Sequence, residues 1–358
     1  MLDLRPQIYY NCRREQNFPP RLRCFFCFGG AWFEVYESMF YIAGTGSALP
    51  EKVVSNDDLA QFLDTSDEWI FTRTGIRRRH VLTHERLDDL AILSARRALE
   101  DAHTEGKDVD LILCATMRGD TFTPSLACTV AEAIGSHAPA FDLNAACVGV
   151  LYAMEIADSF IGTGKAETVL IVSAEAMSKL VDWSDRSTCV LFGDGSGAMV
   201  VKKGEGRLAG VLTSDPDSHV IRMPNIEGLN SPYNQIEQEK LAMYMDGGEV
   251  YKFAVNAMGH RIEEVCARAN LSPADIDWYL PHQANVRIID ASLKKYKIDK
   301  SKVLLNISEC GNMSATSVMV LLDEYAKKGT FKKGDKLLFV AFGGGLTSGA
   351  VIINWNKE

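Results

Sequence analysis

Residues 141–172, FDLNAACVGVLYAMEIADSFIGTGKAETVLIV, change their hydrophobic period twice. A short apolar strand runs into a sharp junction at Cys147. A helix over 148–161, a glycine-containing loop and a second apolar strand follow. That helix is apolar on nearly every face, so packing must cover it on all sides. A second helix of the same kind is expected over 315–322. By contrast, SNDDLAQFLDTSDEWIFTRTG (55–75) and LDDLAILSARRALEDA (87–102) keep one polar face, as elements of an outer layer do.

The pattern repeats. AHTEGKDVDLILCAT (102–116) corresponds to ANLSPADIDWYLPHQ (269–283), 167 residues later, and the opening stretch corresponds to 303–340. GDGSGAMVV (193–201) and LTSGAVIIN (346–354) form a third pair in the same order. Three ordered correspondences imply an internal duplication. Strands alternating with helices make each half an α/β unit with parallel or mixed pairing. Two all-apolar helices between two sheets, with amphipathic helices outside, give a five-layer α-β-α-β-α architecture. The halves are assigned to 39–210 and 211–358. Residues 1–38 read as an upstream extension before a clean domain start at Met39.

Duplication also places chemistry. Cys147 and the GNMSA junction (311–315) are equivalent helix starts and should face each other. PHQAN (281–285), at a strand end of the second half, abuts the same region. Cys147, His282 and Asn312 are therefore expected to converge. A helix N-terminus stabilises a thiolate and lowers its pKa, which suits covalent catalysis. His282 can donate from Nε2 or act as a base, and Asn312 offers an amide donor without a protonation equilibrium. Taken singly, each also reads blandly: a buried cysteine, a strand-end cap, a turn.

Bulk properties narrow the classes. A content of 47% hydrophobic and 24% charged residues is that of a globular enzyme. The net charge of −9 argues against general nucleic-acid binding. No apolar run reaches the roughly 18 residues of a membrane span. Of nine cysteines, Cys114, Cys128, Cys189, Cys266 and Cys310 lie in strand- or helix-like runs and are expected buried. A reduced, cytoplasmic setting follows. Cys24 and Cys27 form a lone C-x-x-C, so zinc is not expected, and no other metal cluster is legible. GDGSG and GTGSAL lack the G-K-[ST] of a phosphate loop and read as turn glycines.

The motifs DTSDEWIFTRTGIRRRH, AACVG, DRSTCVLFGDGSGA, PHQAN, GNMSATS and AFGGGLTSGA occur in the order found in a known family. From Met39 to the C-terminus the chain resembles the β-ketoacyl-[acyl-carrier-protein] synthase III family, thiolase-fold condensing enzymes of type II fatty-acid synthesis. The resemblance implies that Cys147 takes an acyl group from acyl-CoA. His282 and Asn312 would then stabilise the enolate formed on decarboxylation of malonyl-acyl carrier protein. Backbone N–H groups of Cys147 and Gly344 would form an oxyanion hole. It further implies CoA contacts at Trp69, Arg73 and Arg186, and pantetheine contacts at Gly247, Tyr251 and Asn285, with no cofactor. Tyr251 and Met313 depart from the usual phenylalanine and threonine. The acyl pocket is gated from the partner of a homodimer, here by Thr123 beside Phe122, and Thr123 predicts room for primers longer than acetyl. Lys252, Arg287, Lys294 and Lys295 are expected to dock the acidic carrier protein. A sibling condensing enzyme making a polyketide or quinolone-type product has the same Cys, His, Asn triad. A papain-like protease shares the Cys, His, Asn order, but AACVGV lacks its C-G-x-C-W surroundings. A non-catalytic acyl-CoA binder would need none of the three together.

Overall fold

The computed structural model describes residues 40–225, 232–233 and 236–357, together with the backbone of a hairpin pairing Cys24–Phe28 with Ala31–Val35. The side chains of the C-x-x-C and the remainder of 1–38 lie outside the described residues.

Nine strands build two sheets. In the first half they are β1 (Phe40–Ala48), β2 (Leu111–Ala115), β3 (Ala140–Leu143), β4 (Thr168–Ala176) and β5 (Asp194–Lys203), in spatial order β1-β5-β4-β2-β3. The second sheet has β6 (Arg207–Ser214), which straddles the 210/211 boundary expected from the sequence, β7 (Trp278–Pro281), β8 (Lys336–Gly343) and β9 (Thr347–Asn354), in order β6-β9-β8-β7. Pairing senses match: β2 with β4 and β7 with β8 are parallel, and β4 with β5 and β8 with β9 are antiparallel. The counterpart of β3 shrinks to a single parallel bridge between Tyr279 and Val303. The repeat read from sequence is thus a repeat of topology.

The helices fill the expected layers. Leu87–Asp101 (α2) and Leu126–Ile134 (α3) cover the outer face of the first sheet, burying Leu90, Leu99 and Val130 against Ile112 and Val172. Gly247–Arg268 (α5) and Val286–Tyr296 (α6) cover the outer face of the second, through Ile262, Ile289 and Leu293 against Leu338 and Ile352. Gly149–Gly162 (α4) and Thr316–Lys327 (α7) lie between the sheets in one continuous apolar core. In α7 every residue from Thr316 to Asp323 is buried, which explains the absence of a polar face in its sequence. Among the described residues no helix is long and apolar enough to cross a membrane.

Three expectations are corrected. Residues 55–75 do not join an outer layer; the helix Asp67–Thr74 (α1) and its neighbours pack with Met177, Val190, Phe192 and Met243 beside the ends of the strands. Gly195 and Gly197 of GDGSG lie in β5, with Gly193 just before it, and both glycines of GTGSAL lie in β1, not in turns. Gly197 lets α7 approach the sheet, since a Cβ there would sit 2.4 Å from the Met319 Cβ. Cys128 is exposed on α3, whereas Cys114, Cys189, Cys266 and Cys310 are buried as expected.

Candidate active site

Where the two central helices begin, the chain turns twice through unusual backbone. Ala146, just before Cys147, has φ +46°, and Ser314, just before α7, has φ +50°. Side chains other than glycine seldom adopt this region, and the surrounding structure holds both residues there. The two junctions meet: Ser314 Oγ lies 3.4 Å from Cys147 Sγ, across the 167-residue repeat.

A cavity of about 670 Å³ opens at this contact, and Cys147, His282 and Asn312 all line it. Each is held by a different device. Gly343, at the end of β8, presses on the nucleophile junction so closely that a Cβ would come within 2.8 Å of the Cys147 backbone nitrogen. His282 follows β7, its backbone N–H bonded to Val340 O at 2.8 Å and its ring edge-on to Phe342 at 5.6 Å. Asn312 is stitched to the other half, donating its backbone N–H to Leu191 O and accepting from Gly193 N–H. Its Oδ1 accepts from Ser314 N–H at 2.9 Å, which leaves the amide N–H₂ to face the cavity as a donor.

Burial sets the electrostatics. It pushes the His282 pKa down to about 3, so the imidazole is neutral at physiological pH. Nδ1 is sealed in without a partner among the described residues, so Nε2 is the nitrogen left to meet a ligand. Burial also pushes the Cys147 thiol up to about 11, against the Ser314 hydrogen bond and the sulfur's own backbone N–H. The expected lowering is therefore corrected. The helix start is present, but the apolar surroundings of the half-buried sulfur disfavour the thiolate by desolvation.

The other expected residues divide by place. Trp69, Arg73 and Arg186 form the cavity mouth, where the Arg73 and Arg186 guanidiniums lie 4.5 and 5.0 Å from the indole centroid. Gly247, Tyr251 and Asn285 also line the cavity, with Asn285 Oδ1 capping α6 through Arg287 N–H at 2.8 Å. Gly344 lies in the wall beside Ala146. Lys252 and Arg287 reach the mouth. Lys294 and Lys295 do not: they occupy the last turn of the 11-residue helix α6, at a separate surface depression or turned toward Asn256. Phe122 and Thr123 do not line the cavity of their own chain, and Phe122 is exposed. Sequence reasoning missed Gly343, Ser314 and the buried carboxyl of Glu175. The repeat offset, applied to Cys147 itself, points to Ser314.

The family model described as 3-oxoacyl-[acyl-carrier-protein (ACP)] synthase III matches residues 141–219, and its C-terminal counterpart matches 266–355. A relative from Caldanaerobacter subterraneus subsp. tengcongensis, named beta-ketoacyl-[acyl-carrier-protein] synthase III, is 45% identical over 88% of this chain and 98% of its own. The crystal structure of 3-oxoacyl-[acyl-carrier-protein] synthase III from Aquifex aeolicus superposes with a TM-score of 0.83 at 42% identity, covering 88% of this chain and 99% of that one. The priming beta-ketosynthase of the R1128 polyketide pathway superposes equally well, at 0.83, over 89% of this chain and 96% of that one, but at 32% identity.

Proposed function

Because the chain belongs to the 3-oxoacyl-[acyl-carrier-protein] synthase III family, we propose that its cavity is a two-substrate condensing site with Cys147 as acyl carrier. The chain is an acyltransferase-type condensing enzyme that initiates fatty-acid synthesis. In the proposed cycle an acyl-CoA enters at the mouth. Its adenine stacks in the Trp69, Arg73 and Arg186 cluster and its pantetheine passes Gly247, Tyr251 and Asn285. Cys147 Sγ attacks the thioester carbonyl carbon, and the backbone N–H groups of Cys147 and Gly344 hold the developing oxyanion. CoA leaves, and Lys252 and Arg287 receive malonyl-acyl carrier protein at the same mouth.

His282 Nε2–H and the Asn312 amide then donate to the malonyl thioester oxygen. As carbon dioxide departs, the negative charge on that oxygen strengthens both bonds, which is how they lower the barrier. The enolate carbon attacks the acyl-cysteine, the C–S bond breaks, and a β-ketoacyl thioester is released. A neutral imidazole and a neutral amide suit this step, because decarboxylation leaves them hydrogen-bonded to one enolate with no competing ion pair. A homodimer would bring Phe122 and Thr123 of one subunit to the cavity of the other. The scheme draws on no cofactor. The observation that carries the reading is the shared cavity of the thiol, the neutral ring and the outward-facing amide.

Incubation with acetyl-, butyryl- or octanoyl-CoA plus malonyl-acyl carrier protein tests it. Expected products are the β-ketoacyl carrier protein, carbon dioxide and CoA in equal amounts, with the longer primers accepted. Hydrolysis without condensation overturns the reading, and strict acetyl preference overturns the role given to Thr123.

A further inference from the structure

The segment GIRRRH buries a charge that the proposed cycle does not use. Arg79 lies in the short strand Arg78–His80, and its side chain is fully buried. Its hydrogen bonds go to two carbonyls and one amide oxygen rather than to a carboxylate. Its Nε has no partner among the described residues. Burial lowers its pKa only to about 10, so the guanidinium stays charged at neutral pH. A charge held this way costs stability that an apolar side chain of similar volume would not. What the apolar side chain lacks is a rigid fork with two donor arms.

The two arms reach different parts of the molecule. Nη1 donates to Asn56 Oδ1 at 2.8 Å and to Val54 O at 3.3 Å. Asn56, also buried, donates to Asp67 Oδ1 at 2.9 Å, at the first residue of α1. Nη2 donates to Val190 O at 2.7 Å. Val190, Leu191 and Phe192 line the cavity. The same segment binds the Asn312 peptide on both sides. Leu191 O accepts the Asn312 N–H at 2.9 Å, and Gly193 N–H donates to Asn312 O at 3.0 Å. A Cβ at Gly193 or at Gly311 would come 3.2 Å from the Arg79 Cβ, so the arginine stem packs where the two segments meet. The nucleophile junction is held by other groups, Gly343 and Ser314.

We propose that Arg79 is a positioning residue for Asn312, a role that rests on Asn312 being an enolate donor. By fixing Val190 O it fixes the 190–193 segment, and that segment sets where the Asn312 amide stands relative to His282. Enolate stabilisation needs both donors on one oxygen, so a small displacement of Asn312 weakens decarboxylation. Loading of Cys147 does not use that amide. A lysine keeps the charge and most of the stem, but its single ammonium cannot span Asn56 and Val190 as the fork does.

The test compares two half-reactions in the native protein, Arg79→Lys, Asn312→Ala and the double variant. One is single-turnover loading of Cys147 from radiolabelled acetyl- or octanoyl-CoA. The other is release of labelled carbon dioxide from malonyl-acyl carrier protein. Arg79→Lys slows the release roughly 10-fold through kcat, with the KM for malonyl-acyl carrier protein and the loading rate within about threefold of native. In the Asn312→Ala background the same change costs less than about twofold, because the group it positions is gone. A further loss of about 10-fold in the double variant, equal losses in both half-reactions, or release within about twofold of native in Arg79→Lys overturns the proposal. Asn56→Ser, which removes the anchor of one arm, gives the same pattern at smaller size and replaces Arg79→Lys if that variant does not fold. If neither folds, Arg79 is needed for folding and the positioning role falls. Release at the native rate by Asn312→Ala overturns the reading of Asn312 instead.

Discussion

The two helix heads, at Cys147 and at Ser314, occupy equivalent places in the duplicated chain and touch at 3.4 Å, yet they do different work. The first carries a half-buried sulfur whose apolar surroundings raise its pKa. The second carries no nucleophile of comparable reactivity. Its hydroxyl serves the sulfur, and its backbone N–H turns the Asn312 amide outward. Duplication supplied two opposed helix starts, and divergence made one the attacking group and the other its support. The sheets diverged likewise: β3 sits beside the nucleophile junction, whereas its counterpart is one bridge at Val303.

The largest effect that sharpens this contrast comes from the supporting side. Replacing His282 or Asn312 with alanine should lower condensation by about 10²–10³-fold while acyl loading of Cys147 changes little. Separate assays of loading and malonyl decarboxylation check this, and equal losses in both would merge the two roles assigned here. Next comes Gly343→Ala. Its Cβ would sit 2.8 Å from Cys147 N and 3.0 Å from Cys147 Cβ, so the nucleophile must shift. A misplacement of this size should cost on the order of 10²-fold in loading. The same change at Gly344, where the nearest atom is 3.4 Å away, should cost less.

A smaller effect concerns stability. The folded Glu175 pKa, about 8, exceeds its ordinary value of 4.5. Its stabilising share is present below pH 4.5 and is lost as pH rises through 8. Glu175→Gln should therefore gain on the native protein by a few kcal/mol between pH 5 and pH 9. Urea unfolding at both pH values reads this, and a constant difference would mean that the carboxyl does not titrate in that window. The smallest effect is at the mouth. Arg287→Glu should raise the KM for malonyl-acyl carrier protein several-fold, while Lys294→Glu, on the far end of α6, should leave it nearly unchanged. Equal responses would return docking to the whole basic helix.

Much of this was legible in the sequence, for a physical reason. A helix buried on all sides has no polar stripe, and two such helices at a fixed offset imply two sheets around them. Convergence of Cys147, His282 and Asn312 follows from that symmetry. The raised thiol pKa was not legible, because a helix start appears in local sequence and the depth of burial does not. Glu175 was also missed. In VLIVSAEAMSK it reads as the polar end of a strand, and its burial exists only once the halves are packed. The lysines of SLKKYKIDKSK were grouped with Arg287 by proximity in sequence, but one helix separates them in space.

The central claim is that the sulfur at the first helix head carries the acyl group. Incubation with a radiolabelled acyl-CoA, followed by proteolysis and mass mapping, tests it most directly. The account predicts label on the peptide containing Cys147, released by hydroxylamine as a thioester and absent from Cys147→Ala. Label on the exposed Cys128, or stable label on any other residue with Cys147 unmodified, would contradict it.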